Sequence, residues 1–285
     1  MLQVIPPPDD LRPWVEGVVT VRTHAGLACS RFPALPHAML TLRLCGQVGS
    51  ARSPEGPLPP ATFHTLSTGP ALFRHHGAVH ALGLLVRAEA SACLLGASTG
   101  VLIDQVLPWA EVAGEAEAAR LLEQALPATS QALALDALLG SFRRVLHRAV
   151  HSAEAERVSL LCAAVASHGA GASGPLHLGP RQLERRFKAA LGLSPKAFHG
   201  LVRMHRTLGQ ALAGGPAGAV LALEAGYYDQ SHFARDLRRM AGVPLRTLLA
   251  DAHAQSPWWP LASGRALRSA GPALIPAAAQ GRLPA

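Results

Sequence analysis

No uncharged apolar run in this chain approaches the roughly eighteen residues that a membrane-spanning helix needs, so no span is expected. Residues Met1–Asp10 lack a basic start followed by an apolar stretch, so a secretory signal is not expected either. Cysteine is scarce and scattered: Cys29, Cys45, Cys93 and Cys162 show no C-x-x-C spacing. That argues against a disulfide framework or a zinc knuckle and fits a reducing cytoplasm, with the thiols as small buried apolar groups. Acidic residues are missing from the whole stretch between Glu55 and Glu89, which holds His64, His75, His76 and His80. A metal-binding enzyme built on those histidines would lack a carboxylate ligand there, so they are read as loop or surface histidines. G-x-S-x-G, H-E-x-x-H and phosphate-loop patterns are also missing, and no cofactor, metal or catalytic role is expected.

What is present is apolar mass and one concentrated charge. Apolar residues make up 49% of the 285, enough to give two domains a core each. The net charge is +8, and its placement is uneven. From Arg181 to Arg246 there are eleven Lys or Arg against four Asp or Glu, a net of +7. The rest carries fifteen against fourteen, a net of +1. Such localisation is the footprint of a phosphate-binding surface.

The first 110 residues read mainly as strands and loops. Met39–Val48 alternates, with Leu40, Leu42 and Leu44 on one side and Thr41 and Arg43 on the other. Val79–Arg87 reads as a more fully buried strand, and Ser50–Pro60 as a Pro/Gly-rich turn region. Ala88–Ala97 is compatible with a short helix. Glu115–Leu126, Gln131–Arg148 and Glu154–Ser167 have helical periodicity. His168–Gly179 (HGAGASGPLHLG) has too much glycine for a regular helix. Residues 254–285 are Pro/Ala/Gly-rich and read as a disordered tail in which Trp258 and Trp259 can dock locally.

The most informative feature is a repeat at an offset of 50 residues. RQLERRFKAALGL (Arg181–Leu193) aligns with SHFARDLRRMAGV (Ser231–Val243): Leu183 with Phe233, Arg185 with Arg235, Phe187 with Leu237, Lys188 with Arg238, Gly192 with Gly242. Each copy is an amphipathic helix with an apolar i, i+4 pair on one side and basic or polar residues on the other. Pro180 suits a first turn, Asp229 suits an N-cap, and each copy stops at a glycine. Ala217–Ala225 reads as a short helix before the second copy, with Gly226-Tyr227-Tyr228 as the turn. Helix, tight turn and second helix make a helix-turn-helix, whose second helix offers its outer face to the major groove. The rival reading is a pair of amphipathic helices in an ordinary bundle.

RQLERRFKAALGLSPKAF (Arg181–Phe198) and AGYYDQSHFARDLRRMAGVP (Ala225–Pro244) resemble the DNA-binding domain of AraC/XylS-type transcription regulators. The resemblance implies two helix-turn-helix units joined by a linker helix, here roughly Pro195–Ala213. It implies base-facing residues Arg181, Gln182 and Arg185 in the first unit, and Gln230, Ser231, His232 and Arg235 in the second. Lys188, Arg238 and Arg239 would hold phosphates. The glycine-rich segment stands where such domains have a supporting helix, so the first unit is expected to be incomplete. LRPWVEGVVTV and HALGLLVRAEASACLLGAS are similar to a sensor-type domain found ahead of such modules. The expected organisation is an α+β sensor or regulatory domain (1–150) with a small barrel-like sheet, an all-α double helix-turn-helix domain (154–253), and the tail (254–285). The implied function is a bacterial, cytoplasmic, sequence-specific transcription regulator and not an enzyme. Double-stranded DNA is its partner; RNA polymerase, a small-molecule effector and a second copy of the chain are further candidates. The alternative is an interaction protein with a degenerate DNA-binding domain.

Overall fold

A computed structural model describes residues 2–51, 56–150, 153–212 and 218–253. The tail reading, including Trp258 and Trp259, falls outside the described residues.

The sheet half contains β1 (Leu2–Ile5), β2 (Val15–Arg22), β3 (Cys29–Phe32), β4 (His37–Ser50), β5 (Ala61–His64), β6 (Ala71–Arg87) and β7 (Val106–Pro108). They form one antiparallel sheet in the order β1-β2-β6-β4-β5-β7, with β3 also paired to β6. β6 is the spine. Its last turns of sequence pair with β2 and with the start of β4, while its first residues pair with β3 and with the end of β4. Both long strands exceed their sequence-based bounds, because the irregular stretches at Cys45–Gln47 and Gly77 bend the sheet without ending it. Gly46 sits in that bend with φ +81°, and a Cβ there would lie 2.2 Å from the Ala78 carbonyl oxygen.

Alternation along β4 sorts its side chains as expected. Ala38, Leu40 and Leu42 are buried against α2 (Trp109–Ala113), α3 (Glu115–Ala125) and α4 (Gln131–Ala149), where Trp109, Leu121, Leu138 and Phe142 complete the core. The Trp109 indole N–H donates to Ser141 Oγ at 3.1 Å, so its one polar atom is satisfied inside that core. Met39, Thr41 and Arg43 point to the other face, where the bent sheet encloses a cavity of about 70 Å³.

This bend corrects the reading of the histidines. His64 is on β5, and His75, His76 and His80 are on β6, so they are strand residues and not loop residues. His64 and His75 face the cavity, and of the four only His76 is exposed. Burial pushes the His64 imidazole down to about 4, so it is neutral in the folded protein. The sequence signal was the period of two, His64 sharing a face with Thr62, whose Oγ lies 3.1 Å from its Nε2.

α1 (Ala88–Leu95) follows β6 directly, and α5 (Ala153–His168) packs against it. The helical half continues with α6 (Pro180–Leu191), α7 (Pro195–Leu212), α8 (Ala219–Glu224), α9 (Gln230–Ala241) and α10 (Leu245–His253). One core joins these helices through Val165, Leu183, Phe187, Phe198, Phe233 and Leu237. It also takes in Ala34, Leu66, Ala88 and Ala92 from the sheet half, so the two halves share buried surface.

The bend at Gly46 is testable. Gly46→Ala should lower the urea-unfolding stability by at least about 2 kcal/mol, from a left-handed backbone plus a clash with a main-chain oxygen. Gly77→Ala, also at positive φ (+86°) but with open space around its Cβ position, should cost about 1 kcal/mol. Equal midpoints for the two variants, followed by far-UV circular dichroism, would count against the close approach as the cause.

Candidate nucleic-acid interface

The 50-residue repeat is a structural repeat in its caps as well as its helices. α6 ends at Gly192 (φ 71°) and α9 at Gly242 (φ 77°), each in the left-handed conformation with its N–H bonded four residues back. Those bonds run to the Lys188 and Arg238 carbonyls at 2.8 and 2.9 Å. The buried stripes also match: Leu183, Phe187 and Leu191 in α6, and Phe233, Leu237 and Ala241 in α9.

The same offset explains the glycine-rich segment. α8 at Ala219–Glu224 corresponds to residues 169–174, where the chain forms a 3-10 helix, Gly169–Ser173. Ala222 and its equivalent Ala172 are both fully buried. The supporting helix of the first unit is therefore present in reduced form: one tight turn delivers the alanine that fills the core. Hydrogen bonds from Leu176 N–H to Ala172 O (3.2 Å) and from Leu178 N–H to Ser173 O (3.0 Å) close the turn before α6.

The second unit is more strongly tied. Asp229 Oδ1 accepts from His232 N–H at 2.6 Å, capping α9. Gly226 makes the turn with φ +74°. Arg203, on the linker helix α7, reaches both parts. Its guanidinium donates to the Gly226 carbonyl (3.3 Å) and to Asp236 Oδ2 (3.4 Å), and lies 4.0 Å from the Tyr227 ring centroid. Tyr227 in turn packs edge-on to His232 and tilted to Phe233. In the first unit α7 is tied instead to α5: His199 Nδ1 lies 3.0 Å from the Val165 carbonyl oxygen.

Arg181, Gln182 and Arg185 are exposed on α6, and Gln230, Ser231 and Arg235 on α9. Lys188, Arg238 and Arg239 are exposed as well, although Arg239 also donates to Asp236 at 3.1 Å. Two positions carry a structural task. Gln182 Oε1 accepts from the Gly179 N–H at 3.2 Å, capping α6. His232 is half-buried, with its Nε2 3.8 Å from Asp236. Sequence reasoning missed Arg203, whose partners are 23 and 33 residues away. It also missed one more matched pair at the same offset, Lys196 and Arg246, each exposed at the second position of the helix after a recognition helix.

Residues 173–251 match the family model described as a helix-turn-helix domain. This segment is a helix-turn-helix domain of the AraC type. No protein of curated function matches the chain by sequence. Among solved structures the chain is similar to ToxT from Vibrio cholerae, with 11% identity, a TM-score of 0.46, and coverage of 82% of this chain and 97% of that one. Another similar structure is ToxT from Vibrio cholerae O395 bound to (E)-4-(8-methylnaphthalen-1-yl)but-3-enoic acid, at 11% identity, TM-score 0.44, and 81% and 97% coverage.

Within the helix-turn-helix domain, Arg203→Ala should remove about 1–3 kcal/mol of stability, because it leaves Asp236 and the Gly226 carbonyl short of a partner. Arg203→Lys should restore less than half, since a point charge cannot lie flat on Tyr227 while bridging two acceptors. Chemical denaturation of the three proteins checks both statements, and full rescue by lysine would remove the stacking argument.

Proposed function

We propose that the chain is a sequence-specific DNA-binding transcription regulator that reads duplex DNA through α6 and α9. The observation that carries this is the pairing of two capped helices at one sequence offset, each burying an apolar stripe and leaving its polar face in solvent. Arginine on such a face pairs with guanine O6 and N7, and glutamine with adenine N6 and N7. Arg181 and Arg185 on α6, and Gln230, Ser231 and Arg235 on α9, are the base readers in this reading. Gln182 and His232 contribute more by capping and packing their helices than by free contact. Lys188, Arg238 and Arg239, joined by Lys196 and Arg246, face phosphates.

The proposed organisation is a regulatory part over 1–150 and a reading part over 154–253. A small-molecule effector, if it enters the bent sheet, meets Thr41 and Arg43 beside Val19, Phe32 and Phe73. A cavity of about 70 Å³ accepts only a few heavy atoms; larger ligands, which occupy roughly 300 Å³ or more, require the sheet to open. The reading assigns no catalytic step to the chain and places it in the cytoplasm with its DNA.

In-vitro selection of duplex DNA on the full chain should enrich a motif covering two successive major-groove segments. On that sequence Arg235→Ala should weaken binding by about tenfold or more, within the roughly 1–3 kcal/mol that a bidentate base contact carries. Arg185→Ala should cost less, because α6 rests on a single 3-10 turn while α9 is held by Asp229 and Arg203. Lys188→Ala should weaken all sequences alike and reduce the log–log salt slope by about one. Failure to enrich any motif would favour an interaction protein with a degenerate reading domain.

A further inference from the structure

Where the two halves meet, two histidines from distant parts of the chain lie ring to ring. His37 opens β4 and His205 sits in the middle of α7. Their centroids are 5.5 Å apart at an interplanar angle of 70°. His205 is buried at 8% exposure, and the His37 side chain is 11% exposed. Among the described residues, nothing hydrogen-bonds His37 Nδ1 or either ring nitrogen of His205. A buried polar ring without partners costs stability even when neutral, and far more when charged.

We propose that His37 and His205 form a proton-sensitive latch, which holds the sheet half against the reading helices while both rings are neutral and releases it on mild acidification. The latch stands beside direct ties to α9. The Ala34 N–H, three residues before His37, donates to the Met240 carbonyl at 2.7 Å, near the end of α9. Pro70 packs close to Gly242, the residue that caps the same helix. The 3-10 segment Gly96–Val101 packs against α6. Docking therefore touches both recognition helices at their supporting side and leaves their reading faces open.

The surrounding charges do not favour a proton on either ring. Glu16 on β2 comes within 4.0 Å of His37 Nε2, but Arg87 at the end of β6 holds that carboxylate at 2.6 Å. Glu89 and Cys93 on α1 and Cys162 on α5 are further titratable groups on neighbouring elements, and burial pushes all three toward their neutral forms. Arg206, next to His205 on α7, opposes a second cation. Burial drives His37 well below the ordinary imidazole range, with His205 and Arg87 adding to it, and drives His205 down to about 4.

The direction of the pH effect follows. Groups whose affinity for protons is depressed by docking contribute their stabilisation above the released value, about 6.5. They lose it as the pH falls toward the docked value. Between pH 7.5 and 5.5, a ring that titrates near 6.5 when released and about 4 when docked changes the docking equilibrium by about tenfold. Burial raises the Glu16 carboxyl, and the Arg87 guanidinium opposes that shift.

Hydrogen–deuterium exchange of the full chain, corrected for intrinsic rates, tests the latch without DNA, so its outcome is separate from that of the DNA-reading proposal. Peptides covering 30–40 and 236–246 should lose well over tenfold protection on going from pH 7.5 to 5.5, because two rings contribute, while peptides from β6 (80–87) keep theirs. His205→Phe and, independently, His37→Phe keep ring volume and remove the proton site. Either variant that folds should reduce the pH-dependent loss to about one third or less. Constant protection in the native chain, an equal loss in β6, or an undiminished loss in the folded variants would each overturn the proposal.

Discussion

The linker helix α7 is the constraint on which the rest depends, because one helix must satisfy four neighbours at once. Its apolar stripe, Phe198, Leu201, Met204 and Leu208, recurs at the three- and four-residue spacing that keeps one face in the common core. The flanks are each committed to a different partner: His199 to α5, Arg203 to the second reading unit, and His205 to β4. At 1.5 Å per residue, its eighteen residues span about 27 Å. That is comparable to the roughly 34 Å between successive major grooves. Its length and rotation therefore set how two reading units can be presented together.

The two units achieve the same end with unequal means. α9 is capped by an aspartate, preceded by a true helix, and fastened by an arginine that bonds a carbonyl, a carboxylate and an aromatic face. α6 begins at a proline, is capped by its own glutamine, and leans on a 3-10 turn. The common requirement is a fully buried alanine at one place, Ala172 or Ala222, and a short turn satisfies it as well as a helix does. Glycine-rich sequence need not mean a missing element; here it allows a tighter one.

Much of this was legible from particular residues. The apolar i, i+4 pairs, the terminal glycines and Asp229 predict α6 and α9 with their caps, and the offset of 50 makes each copy support the other. The alternation in β4 predicts which side of the sheet is buried. What escaped was long-range. His75 read as a loop or surface residue because the bend at Gly46 and Gly77 lets β4 and β6 continue past their apparent ends, and His64 because the four-residue strand β5 is too short to make its period stand out. Arg203 looked like one more basic residue because its partners arrive through the turn of a different helix pair.

Sequence alone determined the local grammar: helix periods, caps, strand alternation and a net charge concentrated in 181–246. Those properties depend on neighbours within about one helical turn or along one strand, so they are written in consecutive residues. Tertiary structure decided which of the exposed-looking charges are free, which histidines are dry, and that the sheet half rests on the backs of both recognition helices. These depend on which surfaces exclude water from each other, and that is a property of packing between segments as far apart in sequence as Ala34 and Met240.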